Sequence, residues 1–488
     1  MAGHRSVPRG GRDHEVVGWL FFAGATLLSF FALSFDAVSA PVGRTGLWTV
    51  SAATLACAVG SVAYLGIAAA RGLLSVGWPG LLFPTAFWAF HFGSFGGVAR
   101  GWYRPALFPV AWSLSALCLL AWMFGYLLAR GRAPVRLRPA ARHGRALLSR
   151  ADLDRIAHLG TALTALGVGL SFAAFVAVGF WDVMLSDYMR SRALLSPEFG
   201  GRPAYVFAIA KLVVVVGVTV ATAAGAIGRG RVLHNRLFAV LLVVDLLVLL
   251  HLGDRSEFSM VLFPVLLFHH AYVRPFTWRK AVVLAGGLLA VFAVVKVVRA
   301  TRDIDEFVYY FDEAGPVAGL LDEMGYTLDT VVRSLAVVPD DQPYFWGKTY
   351  LHAVARALPN VTFTPRTWGF VSSQWINWET APELARKGNA LGFSIVAEAY
   401  INFGLVGAAV VHAVIGAFHG RLERVMTGAV VSPWGAMAFA LLTVCLLMHV
   451  RNTVVLYIRL GLWMLAILAA VWLAFSLLRA LRVDFRPT

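Results

Sequence analysis

Charge is scarce in this chain. Only 14% of its 488 residues are Asp, Glu, Lys or Arg, against roughly 25% in an ordinary soluble domain. Apolar residues reach 59% and the mean hydropathy is +0.72, which excludes a soluble enzyme and a disordered scaffold. Cysteine is nearly absent. Cys57, Cys118 and Cys445 each sit inside an apolar block, so a secreted disulfide framework is excluded and the redox compartment is left open. No Walker loop and no dinucleotide fingerprint occur, and no repeat of 20–50 residues is visible. His269-His270 has no further ligand at metal spacing.

What the chain has is apolar runs of about 20 residues, the length that crosses a bilayer core. Twelve such windows fall at 16–38, 46–70, 77–99, 106–129, 156–180, 204–227, 237–252, 258–273, 281–298, 393–419, 433–449 and 454–478. The third is interrupted by Pro79 and Pro84 and contains His91. The expected fold is an all-α polytopic membrane protein with about 12 transmembrane helices and one large helical outer loop. It divides into an N-terminal bundle over 1–298, an extracytoplasmic segment over 299–392 and C-terminal helices over 393–488.

The net charge of +16 does not signal nucleic acid, because the basic residues lie in short loops between apolar blocks. With both termini inside, the inner segments hold 23 Lys and Arg and the short outer loops hold 8. Cytoplasmic loops carry such an excess. The basic stretch 130–155, with eight arginines, reads as a topogenic anchor; contact with anionic lipid is the alternative. The first apolar block lacks a cleavage site and reads as a retained helix rather than a signal peptide.

The outer segment places Val317, Leu320, Leu321, Met324, Leu328, Val331, Val332 and Leu335 on one helical face, and a second helix is expected around Trp346–Leu358. Its aromatics, including Trp346, Tyr350, Trp368, Trp375 and Trp378, suit the membrane interface and equally suit stacking on sugar rings. Asp303-Ile-Asp305 has the form of a nucleotide-sugar metal motif, but nucleotide sugars are cytoplasmic and this segment is outside. Asn360-Val361-Thr362 is an incidental glycosylation sequon.

Charge at bilayer depth is costly and marks function by default. Glu398, Arg459 and Lys211 lie inside apolar windows near their outer ends. Lys296 and Arg299 close the ninth window, Asp254, Arg255 and Glu257 form an outer turn, and His449 and Arg451 form another. Snorkelling explains Lys211 and Lys296 as well, Glu398 and Arg459 could pair structurally, and Asp245 reads as a satisfied structural acid. Together these residues outline a cationic outer vestibule with an embedded carboxylate. Arginine grips phosphate through its planar fork, so the vestibule suits a polyprenyl diphosphate head group.

Three stretches carry a resemblance. They are Gly253-Asp254-Arg255-Ser256-Glu257; Tyr344-Phe345-Trp346-Gly347 followed by Leu358-Pro359-Asn360; and Ala390-Leu391-Gly392-Phe393-Ser394 running into Glu398-Ala399-Tyr400-Ile401-Asn402-Phe403-Gly404 and Gly407. Their order over residues 240–460 resembles the O-antigen polysaccharide polymerase (Wzy-type) family of bacterial inner-membrane proteins. The resemblance implies a GT-C-like arrangement and polymerisation of polyprenyl-diphosphate-linked oligosaccharide on the outer face of the cytoplasmic membrane. The product would be O-antigen, capsule or exopolysaccharide. A diphosphate leaves as a stable anion with arginines beside it, so no metal is required and no cofactor is expected; the placement of the basic residues leaves no nucleic-acid partner. Membrane lipids, a chain-length regulator and a flippase are the expected partners.

By motif, Arg255, Glu398 and Asn402 become site candidates, Glu398 as the base that activates the attacking hydroxyl and Arg255 as a diphosphate contact. Asp254 and Glu257 join them as substrate contacts. Charge and depth, rather than the resemblance, add Arg299, Arg302, Arg451 and Arg459. A glycan ligase, another polyprenyl-lipid-dependent glycosyltransferase or a lipid-linked sugar transporter are the rival readings. The transporter does not require a 94-residue aromatic outer segment.

Overall fold

The computed structural model describes residues 10–39, 47–71, 79–93, 107–131, 148–185, 191, 194–195, 201–300, 316–358, 372–386, 392–428 and 432–483. Among them there are helices and no strand. In chain order these are α1 (Gly10–Ser39), α2 (Leu47–Ala70), α3 (Pro79–Phe92), α4 (Phe108–Arg130), α5 (Arg150–Val178), α6 (Phe180–Leu185), α7 (Gly201–Arg229), α8 (Arg236–His251), α9 (Arg255–Phe268, continued by a π turn), α10 (Trp278–Ala300), α11 (Pro316–Val337), α12 (Lys348–Ala357), α13 (Ser372–Thr380), α14 (Pro382–Arg386), α15 (Ile395–Gly428), α16 (Pro433–His449) and α17 (Val454–Val483).

Every apolar window of the sequence holds a helix, but the helices are unequal. Seven among the described residues are long and apolar enough to cross a membrane, namely Val50–Ala70, Phe108–Arg130, Arg150–Val178, Gly201–Arg229, Arg255–Val273, Ile395–Val425 and Val454–Ala480. Val17–Ser29, Val283–Ala293 and Pro433–His449 are shorter apolar stretches. Helix α3 has 14 residues, about 21 Å at 1.5 Å per residue, which is short of a ~30 Å hydrocarbon core. Pro79 opens it, where a missing N–H costs nothing, and Pro84 lies within it.

The helices pack around two main cores. One gathers α1 to α4 with α11, α13 and α15, and is rich in aromatics such as Phe83, Phe87, Trp112 and Trp122. The other gathers α5, α7, α8, α9, α16 and α17, with the valines of α7 at its centre. The three C-terminal helices are thus divided, α15 serving the first core and α16 and α17 the second. The amphipathic helix expected after residue 316 forms as α11. It docks into the first core through Leu328, Val331, Val332 and Val337 rather than lying loose on the membrane. Arg302, Asp303, Asp305, Asn360 and Trp368 lie outside the described residues.

Lipid tails are as apolar as leucine, so helix pairs in a membrane gain by close backbone approach at small residues. Helices α4 and α15 meet in this way. A Cβ on Gly416 would stand 2.0 Å from the Trp122 carbonyl oxygen, and one on Gly420 2.4 Å from that of Tyr126. Gly416 and Gly420 are four residues apart and line one face of α15.

The crossing also seals a polar seam. Arg130 Nε meets Glu423 Oε1 at 3.2 Å with both side chains fully buried, the Tyr126 hydroxyl donates to Glu423 Oε2 at 2.7 Å, and Trp122 Nε1 donates to His419 Nδ1 at 3.1 Å. This corrects the reading of Arg130 as part of a solvated basic anchor. It is the buried partner of an acid 293 residues further along the chain.

Gly416→Leu is expected to destabilise the protein by about 3 kcal/mol or more, because its side chain meets backbone that cannot yield. Gly169→Leu, at a helical position open to its surroundings, should shift stability by no more than about 0.5 kcal/mol. Thermal unfolding of the two purified variants in detergent checks the contrast. Equal melting temperatures would refute the crossing.

Candidate active site

The third motif of the sequence is described from Gly392 onward, whose φ of +76° suits glycine. Phe393 N–H then donates to the Arg451 carbonyl at 3.1 Å. Ser394 caps α15, its Oγ accepting from the N–H groups of Val396 at 3.0 Å and Ala397 at 3.3 Å. His91 Nε2 of α3 stands 2.8 Å from the same oxygen. One hydroxyl therefore starts a helix and ties it to the first core.

Glu398 follows one turn later and has no exposed surface. Its Oε1 accepts from the Ser372 hydroxyl at 2.6 Å and its Oε2 from Val454 N–H at 3.1 Å. Val454 is the first residue of α17, so the carboxylate occupies a helix N-terminus, where an unpaired N–H and the helix dipole both favour an anion. The position differs from the partly exposed vestibule carboxylate expected from the sequence. Glu398 is enclosed because α13 and α17 close over it.

At Gly404 the helix breaks, with φ of 71° and ψ of −170°. The carbonyls of Ile401 and Asn402, which would otherwise accept from within the helix, accept instead from the N–H groups of Phe345 at 2.9 Å and Trp346 at 3.1 Å. The Asn402 side chain completes the join. Its Oδ1 accepts from Gly347 N–H at 2.9 Å, and its Nδ2 donates to Thr349 Oγ1 at 2.8 Å and to the Glu398 carbonyl at 2.7 Å. Tyr400 donates to the Val338 carbonyl at 2.6 Å. Tyr350 stacks on Phe403 with ring centroids 6.0 Å apart; burial, and secondarily nearby Glu398, push its hydroxyl well above the usual phenol range. The Tyr344–Gly347 and Gly392–Gly404 motifs, 45 residues apart in the sequence, are thus one structure.

The second candidate group stands at the turn between α8 and α9. Asp254 caps α9, its Oδ1 accepting from Glu257 N–H at 3.4 Å. Lys211 Nζ of α7 pairs with Glu257 Oε1 at 2.5 Å and Asp254 Oδ2 at 3.4 Å. All three side chains keep 21–32% of their surface exposed. Both acids of the turn are therefore spent on a buried-stem lysine, while Arg255 between them is half-buried. Lys211 is a structural cation of this turn and not an unpaired one.

Arg451, half-buried, lies 5.6 Å over the Phe90 ring, and Arg459 on α17 is exposed. Arg299 lies in the last turn of α10; Arg302 falls outside the described residues. The structure thus joins Glu398 and Asn402 to the backbone of Arg451, and separately joins Lys211, Asp254 and Glu257. Among the described residues no group of three His, Cys, Asp or Glu is placed to hold a metal ion.

Trp346, Leu351, Val354 and Leu358 form an exposed apolar face on and beside α12, the arrangement expected at a membrane interface. Trp375 instead packs edge-on against Phe345 at 5.1 Å. Sequence reasoning missed Ser372, Thr349 and His91, the partners of the motif. Only their hydrogen-bonding capacity marks them, and their partners are 26, 53 and 303 residues away.

Residues 231–481, just over half of the chain, match the family model for O-antigen polysaccharide polymerase Wzy. No curated protein and no solved structure matches significantly.

Asn402→Ala should leave the Gly347 N–H without its acceptor and the Glu398 carbonyl without the Asn402 donor, and lower stability by about 2–3 kcal/mol, the cost of stranding buried polar groups. Asn402→Asp keeps the acceptor for Gly347 but puts a charge beside the Glu398 carbonyl, and should also be destabilising. Chemical denaturation in detergent measures both. A fully stable Asn402→Ala would remove the residue from the join.

Proposed function

The chain belongs to the O-antigen polysaccharide polymerase Wzy family, and from that premise we propose that it extends polyprenyl-diphosphate-linked oligosaccharides on the outer face of the bacterial cytoplasmic membrane. Membership and the seven long apolar helices make it a multi-pass membrane polysaccharide polymerase. In this reading both termini are cytoplasmic, and the face carrying α11 to α14 is the outer one. A flippase delivers the substrate there and a chain-length regulator limits the product.

The reaction is a glycosyl transfer. The bond between the anomeric carbon of the growing chain and its diphosphate breaks, and the diphosphate leaves with the electron pair. A hydroxyl at the non-reducing end of the incoming repeat unit forms the new bond, and its proton passes to a phosphate oxygen of the departing diphosphate. Fixed positive charge near the leaving group stabilises the charge that develops there, most effectively where water is excluded. Arg255 is the assigned diphosphate contact. Its position carries this assignment: Lys211 offsets one of the two flanking carboxylates and ties the turn to α7, so the Arg255 guanidinium is presented from an anchored turn. Arg299, Arg302, Arg451 and Arg459 are further contacts for the anionic carrier. Arginines supply the electrostatic stabilisation in this account, and no metal is needed.

Glu398 receives a different role from the one its sequence suggests. A base must reach the hydroxyl it deprotonates, at about 3 Å or through one water. The Glu398 carboxylate has no exposed surface and already holds two donors. We assign it as a positioning residue that fixes α13 and the start of α17 against α15.

Liposomes containing the purified protein and a polyprenyl-diphosphate-linked repeat unit, without nucleotide, should yield a gel ladder with one-repeat steps. Transfer only to a separate acceptor would instead indicate a ligase. Arg255→Lys should cut polymer yield by tenfold or more, since ammonium does not reproduce the guanidinium fork; full activity would reduce Arg255 to a topological residue. Glu398→Gln should keep at least a tenth of the wild-type rate. A folded Glu398→Gln with a loss of about 10²–10⁴-fold, the usual worth of a general base, would restore Glu398 to the chemistry.

A further inference from the structure

At the membrane face opposite the long segment, the start of α5, the start of α16 and the end of α17 enclose a cavity of about 470 Å³. Its walls are Leu148, Trp434, Trp472 and Phe475, and Ser476 and Arg479 stand on the same side of α17 at its polar end. The Trp434 and Phe475 rings pack at 5.9 Å and make an apolar floor. Trp472 keeps 47% of its surface exposed at the opening.

The charge around the mouth is lopsided. Asp152 is the acid nearest Arg479, at 3.9 Å, and it is shared. It accepts from Ser149 in the capping box of α5 and pairs with Arg155 at 3.5 Å. Asp154 is taken by Arg229 at 2.7 Å. Arg155 and Arg479 therefore share the Asp152 carboxylate, while Arg150 and Arg229 both stand near Asp154; among the described residues the rim carries more positive than negative charge above an apolar slot. Short polar groups beside guanidinium suit a phosphate oxygen, and the slot below suits an acyl chain.

We propose that this cavity binds an anionic glycerophospholipid of the leaflet opposite the long segment, with its phosphate against Arg479 and Ser476 and an acyl chain against Trp434, Trp472 and Phe475. The site is separate from the assigned polymerisation site, at the other ends of the same helices. Bound there, the lipid joins α16 and α17 to α5 where only side chains now bridge them.

The test is photolabelling of the full-length protein in nanodiscs with phosphatidylglycerol carrying a photoreactive acyl chain, followed by peptide mapping. Labelling is expected on the peptides containing Trp434 and residues 472–480. An excess of unlabelled phosphatidylglycerol should compete, and phosphatidylcholine should not. Arg479→Gln should weaken labelling there about fivefold, corresponding to ~1 kcal/mol for one arginine near an anionic surface. Ser476→Trp, which fills the slot, should abolish it. Label spread evenly over the protein surface, equal competition by phosphatidylcholine, or unchanged labelling in both variants would overturn the proposal. Displacement by millimolar inorganic phosphate alone would reduce the site to a simple anion contact and overturn it as well.

Discussion

A helix that breaks inside a membrane protein exposes carbonyls that no water can satisfy, so something else must reach them. That constraint at Gly404 organises the half of this molecule that faces the long segment. The carbonyls of Ile401 and Asn402 are met by the Phe345 and Trp346 amides, and the Asn402 side chain carries the repair on to Gly347 and Thr349. One turn earlier, Glu398 ties Ser372 on α13 and the first amide of α17. A single stretch of α15 thereby holds three segments that hydropathy alone would leave unconnected. The left-handed Gly347, with φ of 84°, lets the chain turn from that repair directly into α12.

The buried charges follow a complementary logic. A charge in an apolar core is tolerable when a partner and hydrogen bonds meet it. Arg130 with Glu423 and Tyr126 satisfies this rule at the α4–α15 crossing. Lys211 with Asp254 and Glu257 satisfies it at the α8–α9 turn. Both tie helices together, one using a residue that reads in the sequence as part of a basic inner loop and the other a lysine near the outer end of its apolar window. Arg255 lies at the second of these, the α8–α9 turn, and Arg451 lies over the Phe90 ring at the turn before α17.

Hydropathy made the helices legible because span length and apolar content are local properties. The amphipathic face of α11 and the short α12 were readable for the same reason. The partners were not. Arg130 looked like one more basic residue of an inner loop, since nothing in its neighbourhood announces an acid on α15. The stripe of His412, Gly416, His419, Gly420 and Glu423, spaced by three and four residues on one face of α15, was the available signal for that crossing. Glu398 was correctly picked out as unusual, but charge and depth cannot tell a carboxylate that caps a helix from one that faces a substrate. The difference lies in Ser372 and Val454, which are close only after folding. The break at Gly404 was likewise hidden, because a glycine in an apolar helix more often marks close packing than a change of direction.

Hydrogen exchange of the purified protein, read at the amides of Phe345, Trp346 and Gly347, tests the join at Gly404 most directly. These amides lie in a turn outside any helix, so a turn that is only loosely apposed would exchange as fast as an exposed loop. The account predicts protection comparable to the core of α15, lost together at all three positions when Asn402 is replaced by Ala. Rapid exchange of these amides in the wild-type protein would contradict it.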